Sequence, residues 1–77
     1  MAISFGLARP GRVSVRIYNR AGRLVNDVAE REPMNAGQNL IRWDGRDEDG
    51  EIVPDGIYVV SMEAGGRKET KTFSVVR

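Results

Sequence analysis

Apolar residues recur two positions apart in stretch after stretch of this chain, and each stretch ends in turn-forming residues. Side chains of an extended strand alternate between faces, so a period of two reads as half-buried β-structure, whereas a helix would need apolar spacings of three and four. Ile3, Phe5 and Leu7 share one face of Ala2–Ala8, and Val13, Val15 and Ile17 share one face of Val13–Asn19. Ile41 and Trp43 fall together in Asn39–Trp43, and Phe73 and Val75 in Arg67–Val76. In Ile57–Glu63, Tyr58, Val60 and Met62 face one way, while Ile57 and Val59 make the other face apolar too, as in a central strand. Leu24–Ala29 fits less well, because Val25 and Val28 are three apart and share a face only through a β-bulge. Asp27–Met34 is polar enough to hide one turn of helix.

The punctuation between runs is equally regular. Arg9-Pro10-Gly11, Asn19-Arg20-Ala21-Gly22, Ala36-Gly37, Asp47-Glu48-Asp49-Gly50, Pro54-Asp55-Gly56 and Ala64-Gly65-Gly66 supply residues that set or tolerate turn dihedrals. Short strands at about ten-residue spacing with turns between them predict an antiparallel β-sandwich of about seven strands. No linker, repeat or low-complexity tract divides the chain, so residues 1–77 are expected to form one domain.

Composition then narrows the chemistry. The 77 residues contain no Cys and no His. Disulfides, thiolate metal sites and nucleophilic triads that rely on His or Cys are therefore excluded. Twelve Lys and Arg against eleven Asp and Glu leave a net charge of +1, with no clustered basic face of the kind nucleic acid requires. No apolar run approaches the roughly 18 residues of a membrane span, and no signal peptide is recognisable. A soluble module without a catalytic site or cofactor is expected.

The densest functional groups are Asp44, Asp47, Glu48, Asp49, Glu51 and Asp55. Asp44, Asp47 and Asp49 are the calcium candidates, since hard cations need several carboxylates converging from a tight turn. With Gly50 as the loop glycine of an EF-hand, Asp49 and Asp47 take ligand positions, but Gly45 and Gly56 occupy the first and last of them. Asp and Gly also populate turns on conformational grounds alone, and that is the preferred interpretation. Paired carboxylates for glycoside hydrolysis would need a cleft that a chain of this length has little room to build. Trp43, Tyr18 and Tyr58 could stack on a glycan, but Trp43 and Tyr58 alternate in phase with apolar neighbours and are expected in the core with Ile17 and Phe73. Arg9, Arg12, Arg16, Arg20 and Arg23 make the first half basic. They are read first as solvated charges that protect strand edges, and second as a surface for an anionic partner such as lipopolysaccharide or another protein.

Two longer stretches carry a resemblance. Val13–Val25 combines an apolar strand with Tyr18-Asn19-Arg20-Ala21-Gly22-Arg23. Ala36–Asp47 holds Trp43-Asp44-Gly45-Arg46-Asp47, followed by Gly50 and by Pro54-Asp55-Gly56-Ile57-Tyr58. Together they resemble the Ig-like domain of the flagellar hook-capping protein (FlgD-type), a module also found at the C-termini of bacterial secreted and cell-surface proteins. The chain is similar, too, to the C-terminal sorting domains of type IX secretion, through the Tyr18–Arg23 turn, the Gly56-Ile57-Tyr58 strand and a basic C-terminal end. Those domains carry a lysine directly before the last apolar pair, where Thr72 stands here and Lys71 lies one residue earlier.

The resemblance implies an Ig/fibronectin-III-like sandwich with Trp43 plugging the inter-sheet core and the acidic stretch forming its corner. It also implies a non-catalytic C-terminal module of a larger bacterial protein, outside the cell or at its surface. Such a module acts in anchoring, sorting or assembly through contacts with other protein domains or export machinery. Arg16, Tyr18 and Arg20 are the candidate partner surface, and strand addition at the first or last strand is the expected mode where an edge is open. A carbohydrate- or calcium-binding accessory module and a flagellar hook-cap assembly domain are the alternatives.

Overall fold

The computed structural model describes residues 2–76 and is all-β, with six strands where the spacing predicts about seven. They are β1 (Ala2–Leu7), β2 (Gly11–Asn19), β3 (Leu24–Met34), β4 (Gly37–Arg42), β5 (Gly56–Ala64) and β6 (Arg67–Val75). The long stretch 43–55 makes no strand and contributes one isolated bridge, between Arg46 and Ile52. Residues 27–34 hold no helical turn. They continue β3 to Met34, because pairing with β2 satisfies their backbone groups and leaves their polar side chains in water.

Every pairing is antiparallel. Four strands in the order β3-β2-β5-β6 form one sheet, and β1 with β4 forms the other. The apolar-both-sides strand, β5, is central, as its pattern predicts. Its hairpin to β6 closes through Gly65 and Gly66, at φ 56° and 79°. Positive φ at both central residues matches a two-residue turn to the twist of the flanking strands.

The irregular spacing of Val25 and Val28 has a structural origin. Pairing of β2 with β3 shifts register at three places, and at two of them the extra β3 residue is Val28 and Val25 respectively. The third shift lies at Glu30–Arg31, where Arg31 adopts φ 49°. Ser14 Oγ accepts the Arg31 N–H at 3.2 Å, and the Arg12 guanidinium donates to the Arg31 carbonyl at 3.2 Å. Bulges let an eleven-residue edge strand follow a nine-residue neighbour, and they also twist that edge away from other chains.

Between the sheets lie Phe5 and Ile41 from the smaller one, and Val13, Val15, Ile17, Val60, Met62 and Val75 from the larger. Trp43, Val53 and Tyr58 close one end, with Val25 and Ala29 beneath β3. Of the expected core, Ile3 and Phe73 are partly rather than fully buried. Ala29 and Val53 join it from stretches whose period gave no indication.

Candidate functional site

Three surfaces could carry function: the acidic corner, the outer face of the four-stranded sheet and the opening between the sheets.

The corner is built by side chains that replace missing strand pairing. Asp47 Oδ1 accepts the N–H groups of Asp49 at 2.9 Å and Glu51 at 3.0 Å, an Asx turn that folds the chain back on itself. The Asp47 N–H donates to the Glu51 carbonyl, and the Gly50 N–H to the Asp47 carbonyl. Asp44 Oδ1 accepts the Arg46 N–H at 3.1 Å, with the Arg46 guanidinium 3.9 Å from Oδ2. The Arg46 carbonyl in turn accepts Trp43 Nε1–H at 2.9 Å and Asn26 Nδ2–H at 2.7 Å, tying the corner to the core and to β3. Asp44, Asp47 and Asp49 are therefore turned toward successive backbone amides or solvent. Among the described residues, no three acidic side chains gather at a point that could hold a metal ion.

Trp43 and Tyr58, 3% and 5% exposed, offer no stacking platform for a sugar. They form an aromatic cluster with Phe73. The Trp43 ring stands nearly perpendicular to Phe73 at 5.9 Å and at 65° to Tyr58 at 6.1 Å. The Tyr58 hydroxyl donates to the Pro54 carbonyl at 2.6 Å, pinning the chain four residues upstream as the tyrosine corner of Ig-like sandwiches does.

The outer face of the larger sheet holds the candidate partner residues. Tyr18 lies directly across from Leu24 on β3 and from Val59 on β5. Ile57 lies two residues before Val59 on the same face. Leu24 is 38% exposed and Ile57 42%, while Tyr18 and Val59 are half-buried, so the row is an apolar band open to water. Arg16 shares that face and binds Asp27 across β2 and β3, Nε to Oδ1 at 2.8 Å. The hydrogen bond and charge of Asp27 raise the Arg16 pKa above its already high ordinary value, so this guanidinium is permanently charged. Arg20 sits beyond Tyr18 at the hairpin tip. Asn19 Oδ1 shapes that tip by accepting the Ala21 and Arg23 N–H groups at 3.0 and 2.9 Å. The structure thus brings Arg16 and Tyr18 together on one face and sets Arg20 at its end. Leu24, Val59 and Ile57, which complete the band, were not singled out in sequence. The doubly apolar start of β5 was the available signal.

The opening between the sheets lies at the other end from the aromatic cluster. Phe5 to Gly11, Val13, Met62, Ala64, Gly65, Arg67 and Glu69 line a trough of about 560 Å³ beside β1. A second depression, between Asn26–Val28 and Arg42–Asp44, is shallower. Neither contains a nucleophile beside a general base. No helix among the described residues is long and apolar enough to cross a membrane.

A family model described as the FlgD Ig-like domain matches residues 1–68, which include β1 to β5, the corner and the start of β6. No curated protein matches.

Proposed function

This chain belongs to the FlgD Ig-like domain family, and from that premise we propose that it serves as a non-catalytic C-terminal module of a bacterial secreted or cell-surface protein. Its work is to anchor, sort or assemble that protein through contacts with other protein domains. The observation that carries this is the band of Tyr18, Leu24, Val59 and Ile57 flanked by Arg16 and Arg20. Aromatic and Arg side chains with apolar neighbours are the composition of protein-contact centres. The fate of the carboxylates supports the same view, since Asp44 and Asp47 are engaged by backbone amides of the corner. Hook-cap assembly is a particular case of the same kind of contact and is supported by the family name alone.

The test places a photo-crosslinking residue at Tyr18, and as a control at Leu40, which is exposed on the smaller sheet, in the full-length parent protein in its own cells. Crosslinks from position 18 to a discrete protein partner, absent from position 40, are the expected result. Equal or absent crosslinking from both positions would refute the assignment of this face.

A further inference from the structure

The strand edges of this sandwich are treated unequally. β3 carries three register shifts, Pro33 and the run Glu30-Arg31-Glu32. β6 carries Arg67, Lys68, Glu69 and Lys71. Bulges, proline and charge are the devices that stop an edge from pairing with another chain. β4, the other edge of the two-stranded sheet, is tethered to β3 by the two-residue link Asn35–Ala36 and ends in Arg42. β1 has none of these devices. It reads Ala-Ile-Ser-Phe-Gly-Leu, without charge or proline, and keeps one register over all six of its pairs with β4.

What lies beside that edge is also unusual. Arg67, Glu69 and Lys71 are paired with Ala64, Met62 and Val60, so they project from the same face as core residues, yet all three are exposed. They are exposed because two strands cover a sheet of four, and among the described residues no strand packs over the first half of β6. The trough beside β1, floored by Met62 and Ala64, is that uncovered strip.

We propose that the free edge of β1 and this trough form a receptor for one extended segment of a partner protein, which adds as a third strand to the β1–β4 sheet. The segment is apolar at the alternate positions that face Met62 and Ala64, and acidic where it passes Arg9 and Arg67. Charge sets the second requirement: Arg9 and Arg67 outnumber Glu69 around the opening. Main-chain hydrogen bonds to β1 give affinity, and the alternate side chains give selectivity. A second copy offers at β1 an uncharged strand, without the acidic groups that Arg9 and Arg67 call for. The inference rests on the module acting by protein contact, and it assigns a second contact surface distinct from the Tyr18 face.

The experiment titrates the isotope-labelled chain with three capped peptides, each six residues of alternating threonine and valine to match β1. One is flanked at both ends by aspartate, one by lysine, and the third is the aspartate peptide with N-methylated valines. Expected are amide shifts along β1 and a methyl shift at Met62 with the aspartate peptide. That peptide should bind at least about tenfold tighter than the lysine one, with loss of binding on N-methylation, which removes strand hydrogen bonds without altering the protein. The exposed double variant Arg9→Glu, Arg67→Glu should reverse the preference. No binding at millimolar peptide, shifts on β3 or β6 in place of β1, or indifference to N-methylation would overturn the inference. So would sedimentation of the free chain as a dimer with β1 amides protected. Crosslinking at Tyr18 together with failure here would sink only this inference and leave the protein-contact function standing.

Discussion

Replacing Tyr58 by Phe removes one hydroxyl and leaves the aromatic cluster in place. The hydroxyl donates to the Pro54 carbonyl at 2.6 Å while the ring is 5% exposed. A protein hydrogen bond contributes about 0.5–1.5 kcal/mol net, and a carbonyl left buried without a partner costs about 1–3 kcal/mol. Pro54 is exposed, so water can take the place of the hydroxyl and the lower range applies. Tyr58→Phe should therefore destabilise by about 1 kcal/mol, which lowers Tm by about 4–8 °C in a domain of this size. Urea unfolding followed by Trp43 fluorescence and by circular dichroism measures it, with the slope against denaturant unchanged because the surface exposed on unfolding is the same. Tyr58→Leu also removes the edge contact with Trp43 and the tilted contact with Phe73. At about 0.5–1.5 kcal/mol for each ring pair, its loss should reach about 2–4 kcal/mol. A Tyr58→Phe change below about 0.3 kcal/mol, within the scatter of neutral surface substitutions, would mean that the bond to Pro54 does not hold the corner. Equal losses for Phe and Leu would refute the separation of hydroxyl from ring.

Trp43→Ala should cost about 3–5 kcal/mol, much of the roughly 4–12 kcal/mol expected for 77 residues; circular dichroism melts would show a chain partly or wholly unfolded near 37 °C. Asp47→Ala, which frees two corner amides, should lower stability by about 1–2 kcal/mol, whereas Asp49→Ala should stay within about 0.5 kcal/mol; equal effects in chemical denaturation would contradict the assignment of roles in the corner. Arg31→Gly should raise stability by about 0.5–1 kcal/mol, because relief of the positive φ exceeds the added freedom of the unfolded chain; a loss would show that the Arg31 side chain matters more than its backbone. Millimolar calcium should leave the Trp43-monitored melt unmoved, since a folded state that bound the ion would melt several degrees higher.

The strands were legible in sequence because a period of two survives wherever one face is buried and the other wet. Val13, Val15 and Ile17 announce β2 in this way, and the doubly apolar start of β5 announces its central place. β3 was only half legible. Its apolar residues lie at bulges, so their spacing reports the irregular pairing with β2 rather than a simple face. Its second half, polar throughout, is held by a neighbour that no local pattern reveals. The corner was legible through Trp43 and the Asp-Gly steps, but which carboxylate shapes it depends on amides brought close only by the turn. Val53 lies between two turn sequences, where no period marks it, and is buried because the corner folds it back against the core. The trough was invisible in sequence. Arg67, Glu69 and Lys71 are in phase with Phe73 and Val75 by the period of two, but only the four-against-two count of strands shows that their part of that face is left uncovered.

That count also explains why the two ends of the sandwich differ. Two strands of six residues cannot cover four longer strands, so the core needs another lid at each end. At one end the stretch 43–55 supplies it: Trp43 and Val53 are buried there, and Asp44, Asp47 and Asn26 satisfy backbone groups that no strand pairs. At the other end no comparable stretch exists, and the chain turns from β1 to β2 through Ala8, Arg9 and Pro10. The half-buried Ala64, beside the buried Met62, consequently lines an opening with charges at its rim. A chain without disulfides has little stability in reserve for leaving such surface open. The unguarded edge and the uncovered strip are adjacent, and one added strand would resolve both.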